Sequence, residues 1–307
     1  MQIFQFGWIF NMTGFICIDK PEGITSFTAV NKLRRICGVK KAGHTGTLDP
    51  MATGVLPIMI GGATRFSEFI PTHDKAYEAD IMLGITTDSY DITGEVIEKK
   101  DVAVTYDEFK AALDSFVGDI QQYPPMYSAV SKDGVRLYKL ARQGITVERE
   151  SRSVTINSAE IIAQPQENVF TVSVSCSAGT YIRSLAFDIG EKLGCGACLS
   201  RLRRTCANGF DLGECVTFEE LEEIVKNGEL ESKIKSVDSV LEAYPKVTVT
   251  EAQSKRFSNG GGLFTQRVRG FNGHGIYRVY SNENEFLGLG RAEENSETLE
   301  IARLLVK

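Results

Sequence analysis

Hydrophobic residues change their spacing along the chain, and each spacing predicts a different element. Residues 170–176 alternate strictly between apolar and polar side chains, and residues 77–83 alternate more loosely, so both stretches are predicted strands. Short apolar runs at 15–18 and 55–60 predict two further strands. These stretches are the predicted strands of the main domain.

Other stretches have the spacing of helices. Apolar residues recur every three positions in 27–36, which predicts an amphipathic helix with Ser26 as its N-cap and Gly38 at its end. A second helix is predicted from Thr180, with Arg183 in its first turn. Capping-box pairs predict three more helices, which begin after Thr105, Thr217 and Thr250.

The pattern changes near residue 244. Beyond it the segments are short and mostly alternating, as at 276–280, which predicts a small β-rich module of about 60 residues. We therefore place a domain boundary near residue 244. Residues 1–12 precede the first strand, lack a small-residue cleavage site and are too short to span a bilayer, so we expect an extension outside the fold.

Charge is distributed unevenly along the chain. The 307 residues carry a net charge of −6, which argues against a non-specific binder of polyanions. Between residues 121 and 152, however, the sequence has six positive and three negative side chains, with Tyr127 and Tyr138 among them. Pro124 and Pro125 exclude regular structure at the start of this segment. It is either a solvated surface segment or one that lies on a phosphate backbone.

The seven cysteines predict reduced thiols rather than a disulfide framework. Their number is odd and their spacing scattered, which favours a cytoplasmic location. Cys195 and Cys198 form a single CxxC pair, whereas a zinc site more usually shows two such pairs, so we expect buried thiols and no metal. The sequence has neither a P-loop nor a GxGxxG motif, and we expect no cofactor.

The aspartate loop, residues 43–50, collects an imidazole, two hydroxyls and one carboxylate between and after two glycines. Pro50 biases Asp49 toward an extended backbone. The stretch is either an ordinary polar turn or the site of a presented carboxylate. Arg183 bears on this choice, because a cation in the first turn of a helix opposes the helix dipole and favours an anionic partner. Asp49 is a candidate for that partner.

Five motifs, in order along the chain, resemble those of the TruB family of tRNA pseudouridine synthases. They are Lys20-Pro21-x-Gly23-x-Thr25-Ser26, Gly43-His44-Thr45-Gly46-x-Leu48-Asp49-Pro50, Tyr77 opening a strand, Ser177-x-Gly179-Thr180-Tyr181-Ile182-Arg183, and Gly194-Cys195-Gly196-Ala197 with Leu202-Arg203-Arg204. Met126-Tyr127-Ser128-Ala129 resembles the bacterial stand-alone enzymes more than the guide-RNA-dependent ones. The tail is similar, more weakly, to a PUA-type module.

The resemblance implies an α+β fold. Residues 13–243 would form a catalytic domain with a mixed, mainly antiparallel sheet flanked by helices, the pseudouridine synthase fold. Residues 121–152 would be an RNA-contacting insertion, and residues 244–307 a PUA-like RNA-binding domain.

The implied reaction is the isomerisation of uridine to pseudouridine in the T arm of tRNA, at the position conventionally numbered 55. Asp49 would be the nucleophile, attacking either C1′ or C6, with Arg183 paired to it and Tyr77 stacked on the uracil. The other substrate-binding residues would be Tyr181 and Leu202 in the pocket, His44 at the stack vacated by the flipped base, Lys20, and, toward phosphates, Arg65, Arg142 and the 201–204 cluster.

We expect a cytoplasmic monomer that acts on tRNA without a membrane or an obligate protein partner. Two alternatives remain open at this point. One is a tRNA-binding or tRNA-folding protein that acts through the basic insertion and the tail, and the other is a guide-RNA-dependent synthase subunit. Asp49 discriminates the first of these, because a carboxylate that faces an anionic ligand costs a pure binder affinity.

Overall fold

The computed structural model describes residues 12–71 and 74–305. The expected extension at 1–12 lies outside these residues except for Met12. Within the described chain, a large sheet carries the first part and a smaller sheet carries the last part.

The large sheet is mixed and mainly antiparallel, as predicted. Its strand order is β1-β3-β12-β4-β11-β10-β7, with β2 beside β3 and β13 beside β12, and the β3–β12 pair is parallel. Two separate hairpins are formed by β5 with β6 and by β8 with β9. The strands of this part are β1 (Gly14–Lys20), β2 (Ala42–His44), β3 (Thr53–Ile60), β4 (Lys75–Leu83), β5 (Ile85–Thr87), β6 (Val96–Lys99), β7 (Gly118–Gln122), β8 (Ser131–Lys132), β9 (Val135–Arg136), β10 (Arg152–Gln166), β11 (Val169–Cys176), β12 (Ala197–Ala207) and β13 (Phe210–Asp211).

Helices cover the sheet and join its strands. The predicted capping boxes at Thr105, Thr217 and Thr250 are confirmed, because each threonine side chain accepts the backbone N–H three residues on and the Glu or Gln there bonds back. The α-helices are α1 (Ser26–Cys37), α2 (Tyr106–Asp114), α3 (Leu137–Ala141), α4 (Ile182–Leu193), α5 (Phe218–Lys226), α6 (Val237–Val240) and α7 (Glu251–Ser258). Short 3₁₀ helices lie at Gly61–Phe69, Leu212–Glu214, Leu230–Lys233 and Thr265–Arg267.

The main core lies between the large sheet and helices α1, α2 and α4. The alternating residues of β11 point into it, and Phe170 stacks on Phe109 of α2 with ring centroids 3.9 Å apart. Such a pair adds roughly 0.5–1.5 kcal/mol to the burial of its rings. Strands β4 and β12 are adjacent at the centre of the sheet, which brings two distant parts of the sequence together next to the aspartate loop.

The second sheet has the strand order β14-β16-β17-β18-β15. It is joined to the first part by a small apolar cluster in which the Phe66 and Phe286 rings lie 6.2 Å apart. The Tyr244 hydroxyl also donates to the Phe69 carbonyl at 2.9 Å. The strands are β14 (Lys246–Thr248), β15 (Leu263–Phe264), β16 (Gly275–Tyr280), β17 (Phe286–Ala292) and β18 (Thr298–Leu304).

The basic segment lies between β7 and β10. As the prolines predict, residues 123–130 form no helix or strand, and the short β8–β9 hairpin and α3 follow. Across the described residues, no helix has both the length and the apolar character needed to cross a membrane.

Candidate active site

The aspartate loop is fixed at Leu48 by the first residue of α1. Ser26 Oγ donates to the Leu48 carbonyl at 3.0 Å, and the Leu48 N–H donates to Ser26 Oγ at 2.8 Å. The N-cap of α1 is Thr25, so the prediction that Ser26 caps the helix is wrong. The Ser26 hydroxyl instead holds the residue that precedes Asp49.

Lys20 holds the far end of the loop. Its ammonium donates to the carbonyls of Pro21 and Ile24 at 2.8 Å and of Pro50 at 3.3 Å. Burial lowers the pKa of Lys20 to about 8, and the nearby Asp49 raises it. Because Lys20 has no exposed surface, the predicted direct contact with substrate is replaced by a supporting role beneath Pro50.

Arg204 holds the start of the loop from the sheet. It lies in β12, is 1% exposed, and donates to the carbonyl of Val55 at 2.8 Å and to those of Thr47 and Gly46 at 3.3 Å. Each carbonyl is a main-chain acceptor that would otherwise lose its partner on burial. Arg204 therefore fixes the path of the backbone on the approach to Asp49.

The basic cluster at 201–204 is not a free phosphate-binding patch. Arg204 points inward, Arg201 pairs with Asp80 at 2.8 Å, and Arg203 pairs with Asp19 at 2.7 Å. All three guanidinium groups already have protein acceptors, and a phosphate contact of this cluster stays a prediction.

Asp49, Arg183 and Asp91 form one ionic cluster. Arg183 Nε lies 2.9 Å from Asp49 Oδ2, which confirms the predicted pair, and Arg183 Nη1 lies 3.4 Å from Asp91 Oδ2. The side chains of Arg183 and Asp91 are 5% and 6% exposed, whereas that of Asp49 is 33% exposed. Asp49 is therefore the member of the cluster that a ligand can reach.

The charge state of Asp49 results from opposing effects. Burial raises the pKa of its carboxyl above the usual range, the Arg183 guanidinium lowers it, and Asp91 raises it. Arg183 is thus the main influence that favours the ionised form of Asp49. A charge-assisted bond of this length also fixes the orientation of the carboxylate.

The position of Arg183 depends on the first residues of the basic segment at 121–152 and on the turn that contains Ser89. Its Nη1 donates to the Ser89 carbonyl at 3.1 Å and its Nη2 to the Tyr127 carbonyl at 2.9 Å. Tyr181 is the N-cap of α4 without a side-chain capping bond, and the buried Gln122 amide binds both its N–H at 2.7 Å and its carbonyl at 3.0 Å. The first turn of α4 is therefore joined to the segment that follows β7.

Tyr77 and His44 lie close to Arg204. Tyr77 in β4 is the register partner of Arg204 in β12, and burial raises the pKa of its hydroxyl to about 12. His44 in β2 is half-buried, and burial and then Arg204 lower its pKa, so the neutral ring is favoured. Its Nδ1 is buried without a hydrogen-bond partner in the described part of the chain.

The other predicted substrate-binding residues divide between the interior and the surface. Leu202 is buried in β12 and Tyr181 is half-buried at the start of α4. Arg65 and Arg142 are exposed, the first in the 3₁₀ helix Gly61–Phe69 and the second after α3, with its guanidinium 5.6 Å from the Tyr138 ring centre. The structure therefore does not bring these two arginines into the Asp49 cluster.

The glycines of the loop are not needed for a left-handed backbone. Neither Gly43 nor Gly46 has a positive φ. A Cβ on Gly43 would meet Met59 Cε at 3.7 Å, and one on Gly46 would face Lys75 and Arg204. What a glycine still allows here is the close approach of another group, and at Gly46 the approaching groups are two cations.

Two residues of the site were not predicted from the sequence. Asp91 resembled an ordinary turn residue, and Arg204 resembled part of an exposed basic cluster. A signal for Arg204 was present, because Leu202 and Arg204 share one face of β12 by their spacing of two. The signal for Asp91 is tertiary, since its partner Arg183 lies in α4.

The cysteines do not form a metal centre. Cys195 and Cys198 are both buried and free. In the described residues, no group of three or more His, Cys, Asp or Glu side chains is placed to hold a metal ion.

Sequence comparisons cover almost the whole chain. Residues 34–182 match the family described as "TruB family pseudouridylate synthase (N terminal domain)", and residues 183–242 and 245–305 match its two C-terminal families. The tRNA pseudouridine synthase B of Stutzerimonas stutzeri (strain A1501) is 46% identical over 290 residues, 93% of each chain. The chain belongs to the TruB family. The resemblance carried by the five motifs is thereby confirmed.

Other TruB relatives and a solved structure agree. The tRNA pseudouridine synthase B of Clostridium perfringens (strain 13 / Type A) is 44% identical over 301 residues, covering 96% of this chain and all of its own. A solved Cbf5-Nop10-Gar1 complex contains a chain with a TM-score of 0.72 and 26% identity, covering 94% of this chain and 83% of that one. The predicted α+β pseudouridine synthase fold is confirmed by this likeness.

Proposed function

We propose that this chain isomerises uridine to pseudouridine at position 55 in the T arm of tRNA, with Asp49 as the nucleophile. The tRNA pseudouridine synthase B relatives support the reaction and the class of substrate. The single observation that carries the role of Asp49 is its exposure. It is the ligand-accessible carboxylate of an otherwise buried ionic cluster, 2.9 Å from the arginine that neutralises it.

The chemistry matches the groups in the site. The C1′–N1 glycosidic bond breaks, the uracil turns, a C1′–C5 bond forms, and C5 loses a proton while N1 gains one. The reaction is redox-neutral, so it requires no hydride carrier. A carboxylate that stays ionised can act as the nucleophile that carries the intermediate. The Arg183 guanidinium provides that condition by opposing the effect of burial on the Asp49 pKa.

The remaining residues hold the substrate. Tyr77 stacks on the uracil, a contact worth about 1–3 kcal/mol, while Tyr181 and Leu202 line the pocket. Removing the base from its stack costs a few kcal/mol, and the neutral His44 ring fills the place that it leaves. Arg65, Arg142 and the exposed basic segment at 121–152 contact phosphates, and the β-rich domain at 244–307 is a PUA-like RNA-binding domain.

We further propose that the chain acts in the cytoplasm, as a monomer and without an obligate protein partner. The support is that the Clostridium perfringens relative is matched along its whole length by this one chain. The solved neighbour, in contrast, is a complex that contains Nop10 and Gar1.

The decisive experiment replaces Asp49 with Asn. We expect Asp49→Asn to bind an unmodified T-arm stem-loop as tightly as the wild type but to form pseudouridine at least about 10⁴-fold more slowly. The matched control is Asp80→Asn, which removes another arginine-paired carboxylate, that of β4, and should keep its activity. Pseudouridine mapping gives the rate, and a normal rate for Asp49→Asn would sink the proposal.

The same assay separates the two other functions. A tRNA-binding or tRNA-folding protein would bind the stem-loop without forming pseudouridine in any variant. A guide-RNA-dependent subunit would modify the stem-loop only after a guide RNA or a partner protein is added. We expect the purified chain to modify the free stem-loop.

A further inference from the structure

Two cations meet at Gly46 in the aspartate loop. A Cβ on Gly46 would lie 3.7 Å from Lys75 Nζ and 3.8 Å from Arg204 Nη1. Lys75 is the first residue of β4 and Arg204 lies in the neighbouring β12. Both positive groups therefore face the same small space, which the missing side chain of Gly46 leaves open.

No carboxylate compensates these charges. Arg204 donates to three main-chain carbonyls, which carry no net charge. Over residues 12–71 and 74–305, the Lys75 ammonium makes no hydrogen bond and has no carboxylate within 4 Å. Arg183 has carboxylate partners and Lys20 donates to three carbonyls, whereas the Lys75 ammonium has neither kind of partner in the described part of the chain.

The arrangement costs energy in the empty site. Burial lowers the pKa of Lys75, and the like charge of Arg204 lowers it further, while Cys176 opposes these effects. An anion between Lys75 and Arg204 would replace this repulsion by attraction. Lys75 is half-buried rather than enclosed, so an anion can reach it.

The place of Lys75 along β4 suggests which anion this is. Lys75 and Tyr77 lie on the same face of the strand, roughly 6.5–7 Å apart, because side chains alternate. In the proposed function Tyr77 stacks on the target uracil. A nucleotide whose base lies on Tyr77 has its phosphates one sugar away from that base.

We propose that Lys75, with Arg204 beside it, binds a phosphodiester that flanks the target uridine, and that Gly46 keeps this subsite open. The inference rests on the proposed function and deepens it, since it names a contact that holds the flipped nucleotide. It assigns Lys75 a substrate-binding role and Gly46 a steric one.

The test pairs a change in the protein with a change in the RNA. Binding of T-arm stem-loops is measured in the Asp49→Asn background, where no product forms. One stem-loop is unmodified, and two others carry a neutral methylphosphonate either 5′ or 3′ of the target uridine. We expect Lys75→Gln to weaken binding of the unmodified RNA about fivefold to tenfold and to reduce the log–log salt slope by about 0.7–0.9.

Comparing the two protein variants on the three RNAs identifies the contacted phosphate. One of the two methylphosphonates should weaken binding to Asp49→Asn by a similar factor and should not weaken binding to the Asp49→Asn, Lys75→Gln double variant.

Gly46→Ala is the second variant, because its backbone tolerates alanine and its methyl group would fill the subsite without removing a charge. It should reproduce the loss of affinity. Lys99→Gln, an exposed lysine at the end of β6 where it pairs with Ile85 of β5, is the control and should respond to both methylphosphonates as the parent does.

Two results would overturn the inference. One is that Lys75→Gln responds to both methylphosphonates as strongly as the parent. The other is that inorganic phosphate competes at Lys75 while neither methylphosphonate matters, which would indicate a free-anion site. Pseudouridine formation by the wild type is measured on the same RNA. Failure there would refute the proposed function, whereas normal activity with no coupling at Lys75 would refute the subsite alone.

Discussion

Two buried arginines contact the aspartate loop and use their charge differently. Arg183, from α4, pairs with the carboxylates of Asp49 and Asp91. Arg204, from β12, donates to three main-chain carbonyls instead. Both are almost fully buried, so the difference lies in their partners and not in their exposure.

The partners decide what each arginine can do. A guanidinium beside a carboxylate changes the pKa of a reacting group, so Arg183 acts on the chemistry of Asp49. A guanidinium among carbonyls satisfies backbone acceptors but keeps its own charge uncompensated. Arg204 therefore fixes the loop and also lowers the pKa of His44 and Lys75. Removing each arginine should thus produce a different kind of defect.

The largest effect is expected from Arg204→Met, as a loss of stability. The change removes the donor from one buried and two partly buried carbonyls, so the free energy of unfolding should fall by about 3 kcal/mol. Urea unfolding measures this, and Arg201→Met in the same strand is the control, because its exposed pair with Asp80 is worth at most about 1 kcal/mol. If both variants unfolded at the same urea concentration, the proposed stabilising role of Arg204 would be refuted.

The contrast between the two arginines also shows what the sequence could predict. Alternation predicted β4 and β11 because it is local, and the capping boxes were right for the same reason. Arg183 was predicted to seek an anion because the helix dipole is local as well. Arg183 and Asp49 are far apart in the sequence, so no local pattern predicts that they pair. The family motifs supported that pairing.

Arg204 and Asp91 could not be assigned in this way. Their burial comes from the packing of β12 between β3 and β4 and from the turn that returns Asp91 beneath Arg183. A basic run and a polar turn are usually solvated. The spacing of two from Leu202 was the one local signal for Arg204, and no local pattern distinguishes Asp91 from an ordinary turn residue. Ser26 shows the same limit, because its hydroxyl looked like a helix cap and is used by Leu48 across the fold.

An intermediate effect is expected from Arg183→Gln, in the pH dependence of the reaction. In the proposed function the active form of Asp49 is the ionised one, so the rate should fall as the pH drops through its pKa. Burial already raises that pKa and Arg183 lowers it, so loss of the guanidinium raises it further and moves the acidic limb of the pH–rate profile to higher pH. At neutral pH the rate should fall about 10-fold to 100-fold.

Arg183→Lys is the matched variant, because it keeps the charge but loses the fork of donors. Its acidic limb should lie between those of the wild type and Arg183→Gln, and its thermal midpoint should stay closer to that of the wild type. The electrostatic role would be refuted if the limb of Arg183→Gln coincided with that of the wild type while the rate was lower at every pH.

The smallest effect is expected from Tyr127→Phe, which keeps both arginines but weakens the contacts that position Arg183. The Tyr127 carbonyl accepts from Arg183, and its hydroxyl donates to Asp88 at 3.0 Å. Losing that hydroxyl costs about one hydrogen bond, so kcat/KM should fall about fivefold, mostly through kcat. Tyr138→Phe, in the same basic segment, is the control. An equal loss in both variants would assign the effect to RNA contact by the segment, whereas a loss confined to Tyr127→Phe would show that Arg183, unlike Arg204, depends on this segment for its position.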